Sequence, residues 1–413
     1  ARDQFDDQSE QLDTAVELLE VLPALLGSEG DRDYFVAFTT PAEARGAGGF
    51  MGNYAILSAS GGSIEMTEFG RTGELNDRVE PGSRLDLPAD WAERWARYGF
   101  DNGPNQTVGV EPWSNVMLSP DFPSTGAVIS ELWEASGGDP VDGALYIDPF
   151  VLEALLEFTG PIQVGVGEPW ETTLTPQNTA DFLLFDQYLI EETADRVDLL
   201  EDVAMQVVTE LLDSSIPSPT VLADRFGPLV DARRLQVWMT DVDEQRFFER
   251  VDAHGGMPAV AASDGVYVAI NNAGANKLDA FLDRSIEYRA EFDPVDAVVR
   301  GTIDITLRND APAEGLPDGV IGNYVGDPIG TNRMFVTVYT GARTERIFVD
   351  GEEIGGEPAS EVGWYSIQVP VVIPSGEERT LTVETEGQLV VLSGESGMPE
   401  IAPRYELVVG TQP

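Results

Sequence analysis

The sequence predicts an α/β domain followed by an antiparallel β-sandwich, and three observations predict it. Between residues 28 and 279, short β-branched and aromatic runs alternate with segments of helical period. Beyond residue 280 the helical period fades, and short strands separated by Gly, Pro, Asp and Asn turns take over. The 413 residues, 42% hydrophobic, suffice for two or three domains with substantial cores. The expected division is a helix over 1–27, the α/β domain over 28–279 and the sandwich over 280–413.

The elements follow in order. Leu12, Val16, Leu19, Leu22 and Leu26 recur at helical spacing before Gly27 stops the run. This helix reads either as an ordinary first helix or as the membrane-proximal piece of a chain anchored by a segment preceding residue 1. DYFVAFTT (33–40) is a strand, PAEARGAGG (41–49) a glycine-rich loop, and FMGNYAILSAS and SIEMTEFG are two further strands around Gly61-Gly62. A helix is expected over Ala89–Tyr98 in an otherwise aperiodic stretch from 76 to 125. ALYIDPFVLEALLEFTG runs strand into helix, and PIQVGV is a strand. TPQNTADFLLFDQYL is a helix with Thr175 as N-cap and Pro176 in the first position. Two more helices, ETADRVDLLEDVAMQVVTELLDSS and VDEQRFFERVDAHGG, precede VYVAINNAG and the strands of the sandwich. No stretch reaches the roughly 18 apolar residues of a membrane span.

Charge and composition exclude whole classes of chemistry. With 73 Asp and Glu against 24 Lys and Arg the net charge is −49, a field that repels phosphate backbones and anionic lipid surfaces. A general nucleic-acid binder is therefore excluded. Lys277 is the one lysine, a bias shared by high-GC genomes, salt-adapted proteins and exported ones. No cysteine and a single histidine, His254, exclude disulfides, thiol chemistry and multi-His metal sites. Carboxylates, arginines, hydroxyls and backbone amides remain as tools.

Two windows escape the acidic background. Residues 71–97 hold Arg71, Arg78, Arg84, Arg94 and Arg97 against six acids, and residues 225–250 hold five arginines against five. Their plain reading is ion pairing with neighbouring acids; their functional reading is bidentate binding of an anion. Clustered glycines in Glu43-Ala44-Arg45-Gly46-Ala47-Gly48-Gly49 suit either a backbone cradle for an anion with Arg45 beside it, or a tight hairpin. Arg196 is alone among eight acids between 181 and 202, where it serves as an anion ligand or pairs with Glu192. Asp33 and Glu43 are oxygen donors suited to Mg²⁺, or ordinary surface acids. His254 is expected at a helix C-terminus, Lys277 at the domain junction, and Trp91, Trp95 and Trp113 in the core or along an apolar cleft.

Several long segments carry a resemblance. LPALLGSEGDRDYFVAFTTPAEARGAGGFMGNYAILSASGG (23–62), VDGALYIDPFVLEALLEFTGPIQV (141–164), LTPQNTADFLL (174–184), NNAGANKLDAFLDRSIEY (271–288) and LRNDAPAEGLP (307–317) together resemble an actinobacterial-type domain-of-unknown-function family numbered four thousand and twelve. More distantly, ALYIDPFVLEALLEFTGPIQV and LTPQNTADFLL resemble a strand-helix-strand segment and the following helix of the LytR-CpsA-Psr (LCP) proteins. That resemblance covers roughly residues 30–212. It implies an α/β/α sandwich holding a polyprenyl chain in an apolar cleft and its pyrophosphate with Mg²⁺ and arginines. It also implies an extracytoplasmic, membrane-anchored protein that moves a glycopolymer from its lipid carrier to a cell-wall polymer.

Residue by residue, the likeness is partial. Glu68-Phe69-Gly70-Arg71-Thr72 takes the place of the family's Ser-Ile-Pro-Arg-Asp, which gives Arg71 a pyrophosphate-binding and catalytic role. Asp33 takes the place of a metal-ligating and catalytic Asp, with Glu43 as a second candidate ligand, and Arg196 takes that of a later arginine. The family's Arg-x-Arg pair is replaced by Phe185-Asp186-Gln187-Tyr188. The expected site is thus Arg45, Arg71 and Arg196 on the pyrophosphate, Gly46, Gly48 and Gly49 around it, and Mg²⁺ on Asp33 and Glu43. The other expectation is a non-catalytic envelope scaffold or glycan-binding protein.

Overall fold

The computed structural model describes residues 14, 16–100, 107–190, 193–213, 218–260, 264–293, 295–388 and 407–412. Helix α1 (16–25) ends at Gly27, whose φ of +71° and close approach to Ala59 leave no room for a Cβ. Then come β1 (Arg32–Arg45), β2 (Gly48–Ser60) and β3 (Ser63–Arg71), all antiparallel neighbours. The loop expected over 41–49 is mostly strand: β1 continues to Arg45, and only Gly46 and Ala47 turn the chain. Pairing with β2 lapses between Thr40 and Ala44, where Pro41 has no N–H to give.

After α2 (Thr72–Arg78) and α3 (Ala89–Trp95), a 3₁₀ segment (Pro112–Leu118) leads into α4 (Phe122–Ala135). β4 (Gly143–Ile147) then lies parallel to β1 and hands over to α5 (Pro149–Thr159). Asp148 caps α5 by accepting the N–H groups of Phe150 and Val151 at 2.9 and 3.3 Å, with Pro149 in the first turn. A small hairpin, β5 (Ile162–Val164) and β6 (Thr172–Leu174), precedes α6 (Thr179–Leu184). This helix starts three residues later than expected, because Asn178 accepts the Thr175 N–H at 2.7 Å and closes Thr175–Asn178 as a turn.

Helix α7 (Thr193–Asp213), α8 (Pro219–Asp231), β7 (Leu235–Met239) and α9 (Val242–Arg250) complete this half. The sheet order is β3-β2-β1-β4-β7. Residues 34–37 of β1 are buried on both sides, as a central strand of a helix-covered sheet must be. Phe35 and Ala37 face α4 and an aromatic core in which Phe35 stacks on Tyr54 and Trp113 at 5.5 and 5.4 Å. Trp91, Trp95 and Trp113 lie in that core. On the opposite face, Tyr34 packs towards α1 and α9, and Phe38 and Ile147 towards α5, α6 and α7.

The second half starts earlier than the composition shift. β8 (Asp264–Asn272) pairs with β11 (Asn332–Thr340), so the sandwich begins at residue 264 and not at 280. Its remaining strands are β9 (Leu282–Asp293), β10 (Val298–Asn309), β12 (Arg343–Val349), β13 (Glu352–Ile354), β14 (Glu357–Glu361), β15 (Trp364–Ile373), β16 (Glu378–Gln388) and β17 (Leu407–Thr411). Two five-stranded sheets, β13-β12-β16-β10-β9 and β14-β15-β11-β8-β17, enclose a core of Val, Ile, Leu and Met. All these pairs are antiparallel except β17 on β8, which is parallel. The chain is therefore a mixed α/β unit followed by a predominantly antiparallel sandwich. Among the described residues no helix is long and apolar enough to cross a membrane.

Buried polar contacts join the halves. Glu361 of β14 accepts Trp95 Nε1–H at 2.9 Å and the Ser119 hydroxyl at 2.5 Å on one oxygen, and the Tyr339 hydroxyl at 2.6 Å on the other. Arg97 and the Tyr98 hydroxyl both donate to Gln368 Oε1 at 2.8 Å.

Candidate functional site

Strand register builds a row across one end of the α/β sheet. Arg71 on β3 lies opposite Asn53 on β2, Asn53 opposite Phe38 on β1, and Phe38 opposite Ile147 on β4. Directly opposed residues share a face, so all four point to the side covered by α5, α6 and α7. The next pair, Thr39 with Met51, skips Gly52, a bulge that loosens the sheet beside the row.

Between this row and the helices lies a cavity of about 250 Å³. Its walls are apolar: Phe38 and Phe69, whose rings sit 6.0 Å apart, with Leu152, Leu183, Leu200 and Val203. Polar groups gather beside them. Arg71 is exposed at the cavity and has no ion-pair partner among the described residues. Asn53 is 8% exposed, and its side-chain nitrogen has no hydrogen-bond partner; nor has the buried Thr40 hydroxyl. Unsatisfied polar atoms of this kind are costly, and a ligand with acceptor oxygens would satisfy them.

Lys277 also lines the cavity and comes from the loop between β8 and β9. Its ammonium lies 5.6 Å from the Phe50 ring centre and 5.9 Å from that of Tyr188, and it donates to Glu43. Glu43 also accepts Arg45 Nη2–H at 2.9 Å. Burial alone would raise the Glu43 carboxyl and lower the Lys277 ammonium; their mutual attraction reverses both shifts, helped at Glu43 by Arg45, and keeps both charged. The loop is held by Asp279, which accepts from the Ala44 N–H, Asn272 and Asn332 at 2.7–2.9 Å. Burial pushes the Asp279 carboxyl up against those three donors.

The remaining carboxylate at the cavity, Asp148, is committed to capping α5 and to Arg234, whose Nη1 lies 2.6 Å away. Burial raises its pKa despite Arg234.

The structure separates most of the expected site residues. Arg71 is at the cavity. Arg45 is buried beneath it, bound to Glu43 and to the carbonyls of Ala44 and Asn272 at 3.0 and 3.2 Å. The glycines beside it serve packing and form no anion cradle. A Cβ on Gly46 would stand 2.0 Å from the Leu118 carbonyl oxygen and one on Gly49 2.4 Å from the Thr40 carbonyl carbon, while Gly48 takes φ +138° and the Gly46 N–H goes to Asn271 at 2.8 Å. Arg196 lies on α7, and its side chain is outside the described residues.

Asp33 and Glu43 are ten positions apart on one strand, roughly 30 Å when extended. They do not share an ion. Asp33 points to the opposite sheet face from Phe38 and accepts the Ser58 hydroxyl at 2.5 Å, and Glu43 is already neutralised by two cations. The donor set expected for Mg²⁺ therefore does not fit it. Among the described residues no group of three or more acidic or histidine side chains is placed to hold a metal.

Asn53, Thr40 and Lys277 line the cavity but were not among the expected site residues. Two left a trace: Lys277 is the one lysine of the chain, and Asn53 interrupts an otherwise apolar strand. The arginine windows mostly resolve into ion pairs: Arg78 with Glu68, Arg97 with Glu357, Arg225 with Glu157, Arg246 with Asp243 and Arg250 with Glu17.

No curated protein sequence matches the chain significantly. Among solved structures, similarity is found to TagV of B. subtilis, at 10% identity over 55% of this chain and 80% of that one, with a TM-score of 0.26. A second is the Lin1025 protein from Listeria innocua, at 12% identity over 55% and 78% with a TM-score of 0.24. A third is yvhJ from Bacillus subtilis, titled a transcriptional regulator, at 8% identity over 54% and 97% with a TM-score of 0.21. The stretch that supplies β1 to β4 and most of the cavity, residues 29–188, matches the model of the family DUF4012, described as a protein of unknown function.

Proposed function

We propose that this protein binds a polyprenyl-(pyro)phosphate-linked glycan on the outer side of the cell membrane, and that the binding serves attachment of that glycan to a cell-wall polymer. The observation that carries the reading is the cavity itself: apolar walls of Phe38, Phe69, Leu152 and Leu183 beside Arg71, with no ion-pair partner, and the side-chain nitrogen of Asn53, with no hydrogen-bond partner, among the described residues. A prenyl chain suits the first set and a phosphate the second. The partial likeness of the sequence to LCP proteins supports the same ligand class. Extracytoplasmic, membrane-anchored placement belongs to this reading.

Transfer by displacement at a pyrophosphate would form a bond from an acceptor hydroxyl to the glycan-side phosphorus and break the P–O–P bond, with the prenyl monophosphate leaving, and a base must take the hydroxyl proton. Asp33 lies on the other face of the sheet, and Asp148 is held by Arg234. That placement favours a second reading, a non-catalytic glycan-binding envelope protein with the same ligand.

Native mass spectrometry of protein purified from its own membranes tests the ligand. The proposal expects a co-purifying prenyl phosphate that is lost in Arg71→Gln; protein free of lipid in every preparation counts against it. Glycan attachment in cells carrying Arg71→Gln separates the readings: loss supports a role in transfer, and unchanged attachment supports the scaffold.

A further inference from the structure

Resting on that reading, we propose that the cavity seats a single phosphate group directly on protein donors, without a divalent cation, and that Lys277 from the second half of the chain is one of those donors. Three observations on different strands and loops converge. Arg71 brings a planar guanidinium with no carboxylate partner among the described residues. Asn53, its cross-strand neighbour, brings a side-chain nitrogen more than nine-tenths buried and without a partner. Lys277 brings an ammonium with three donors, of which Glu43 accepts one.

Charge decides the size of the head group. Arg71 and Lys277 contribute two positive charges, and Glu43 has Arg45 as well as Lys277 to balance it. A phosphate monoester or diester carries one to two negative charges and is matched by this set. A pyrophosphate with a free terminal phosphate carries more, and one esterified at both ends spreads its two charges over two phosphates; both are usually bridged by a metal on free carboxylates. The carboxylates described at the cavity are engaged, Asp148 by Arg234 and two backbone N–H groups and Glu43 by Arg45 and Lys277. A divalent cation entering here would compete with cations already in place.

Lys277 also ties ligand binding to the sandwich. Its loop is fixed by Asp279, Asn272 and Asn332, and the last two belong to strands of the second half. The α/β unit alone would lack this donor.

Isothermal titration calorimetry of the full chain with farnesyl monophosphate, farnesyl pyrophosphate, farnesol and inorganic phosphate, each in EDTA and in Mg²⁺, tests the proposal. The monophosphate is expected to bind with the same affinity in both buffers. Farnesol and inorganic phosphate are each expected to bind at least about tenfold more weakly, since each lacks half of the interaction. Arg71→Gln, at an exposed position, is expected to weaken the monophosphate roughly tenfold. Lys277→Gln, which leaves Glu43 paired with Arg45, is expected to do the same. Monophosphate binding that requires Mg²⁺, or that is unchanged in both variants, overturns the proposal. Pyrophosphate binding only with Mg²⁺, with no monophosphate binding, overturns it and leaves the prenyl-carrier reading standing. If neither ester binds, both fall.

Discussion

Lys277 makes contacts with both halves of the molecule. Its ammonium faces Glu43 and two aromatic rings, and its backbone N–H donates to the Val320 carbonyl at 2.9 Å. Lys277→Met keeps the stem and removes the charge, leaving buried Glu43 with Arg45 alone. A loss of about 1–3 kcal/mol in urea unfolding is expected, and an unchanged midpoint would show that Glu43 does not need the lysine. Gly46→Ala tests the packing role of the glycine turn. Its Cβ would meet the Leu118 carbonyl at 2.0 Å, so a destabilisation of about 1–3 kcal/mol is expected. Anion-binding glycines would instead give a folded, equally stable variant with weaker ligand affinity.

At the scale of elements, β14 docks on α3 through one buried carboxyl. Glu361 is fully buried and receives three donors, and burial pushes its pKa up to about 7 against their pull. A carboxyl with a folded pKa above its unfolded value of 4.5 binds more protons folded than unfolded between those two values. Its contribution to stability is therefore fully present below pH 4.5 and falls as pH rises to about 7, by up to about 3 kcal/mol. Glu361→Gln cannot ionise. Comparing unfolding free energies at pH 5 and pH 8 in both proteins should show a fall with pH that is larger in the native protein than in the variant. Identical differences would mean that the carboxyl titrates at its ordinary value.

The elements also show what the sequence could reveal. β1, β2, β4 and α5 were legible because their apolar runs are bounded by Gly, Asp and Pro and because Asp148-Pro149 is a helix start in itself. Helices α4 and α8 and strand β7 were not read. Phe122–Ala135 mixes Pro, Ser, Thr and Gly with its apolar residues, and Pro228 stands inside α8, so neither displays a clean period. Arg71 was legible as a site residue through the resemblance at Glu68–Thr72. The roles of Asn53 and Lys277 depend on strand register and on a loop from β8, and no local pattern encodes which distant side chains meet.

For the whole molecule, the halves share buried polar contacts on two sides. Trp95, Ser119 and Tyr98 reach the strands of the sandwich, and Ala44, Arg45 and Gly46 reach Asp279, Asn272 and Asn271. Separating the halves would strip Glu361 of Trp95 and Ser119, Asp279 of the Ala44 N–H and Arg45 of the Asn272 carbonyl, so they are expected to unfold together, as one calorimetric transition. Two resolved transitions would show that the junction is weaker than its contacts imply.

The same joining places a cation of the second half against a cavity of the first, and the function proposed here depends on that cavity. A crystal structure of the full chain with geranylgeranyl monophosphate tests it most directly. The account predicts the phosphate within hydrogen-bond distance of Arg71, Asn53 and Lys277, with the chain running between Phe38, Phe69 and Leu183. A lipid bound elsewhere, or a cavity that stays closed to it at saturating concentration, would contradict the account.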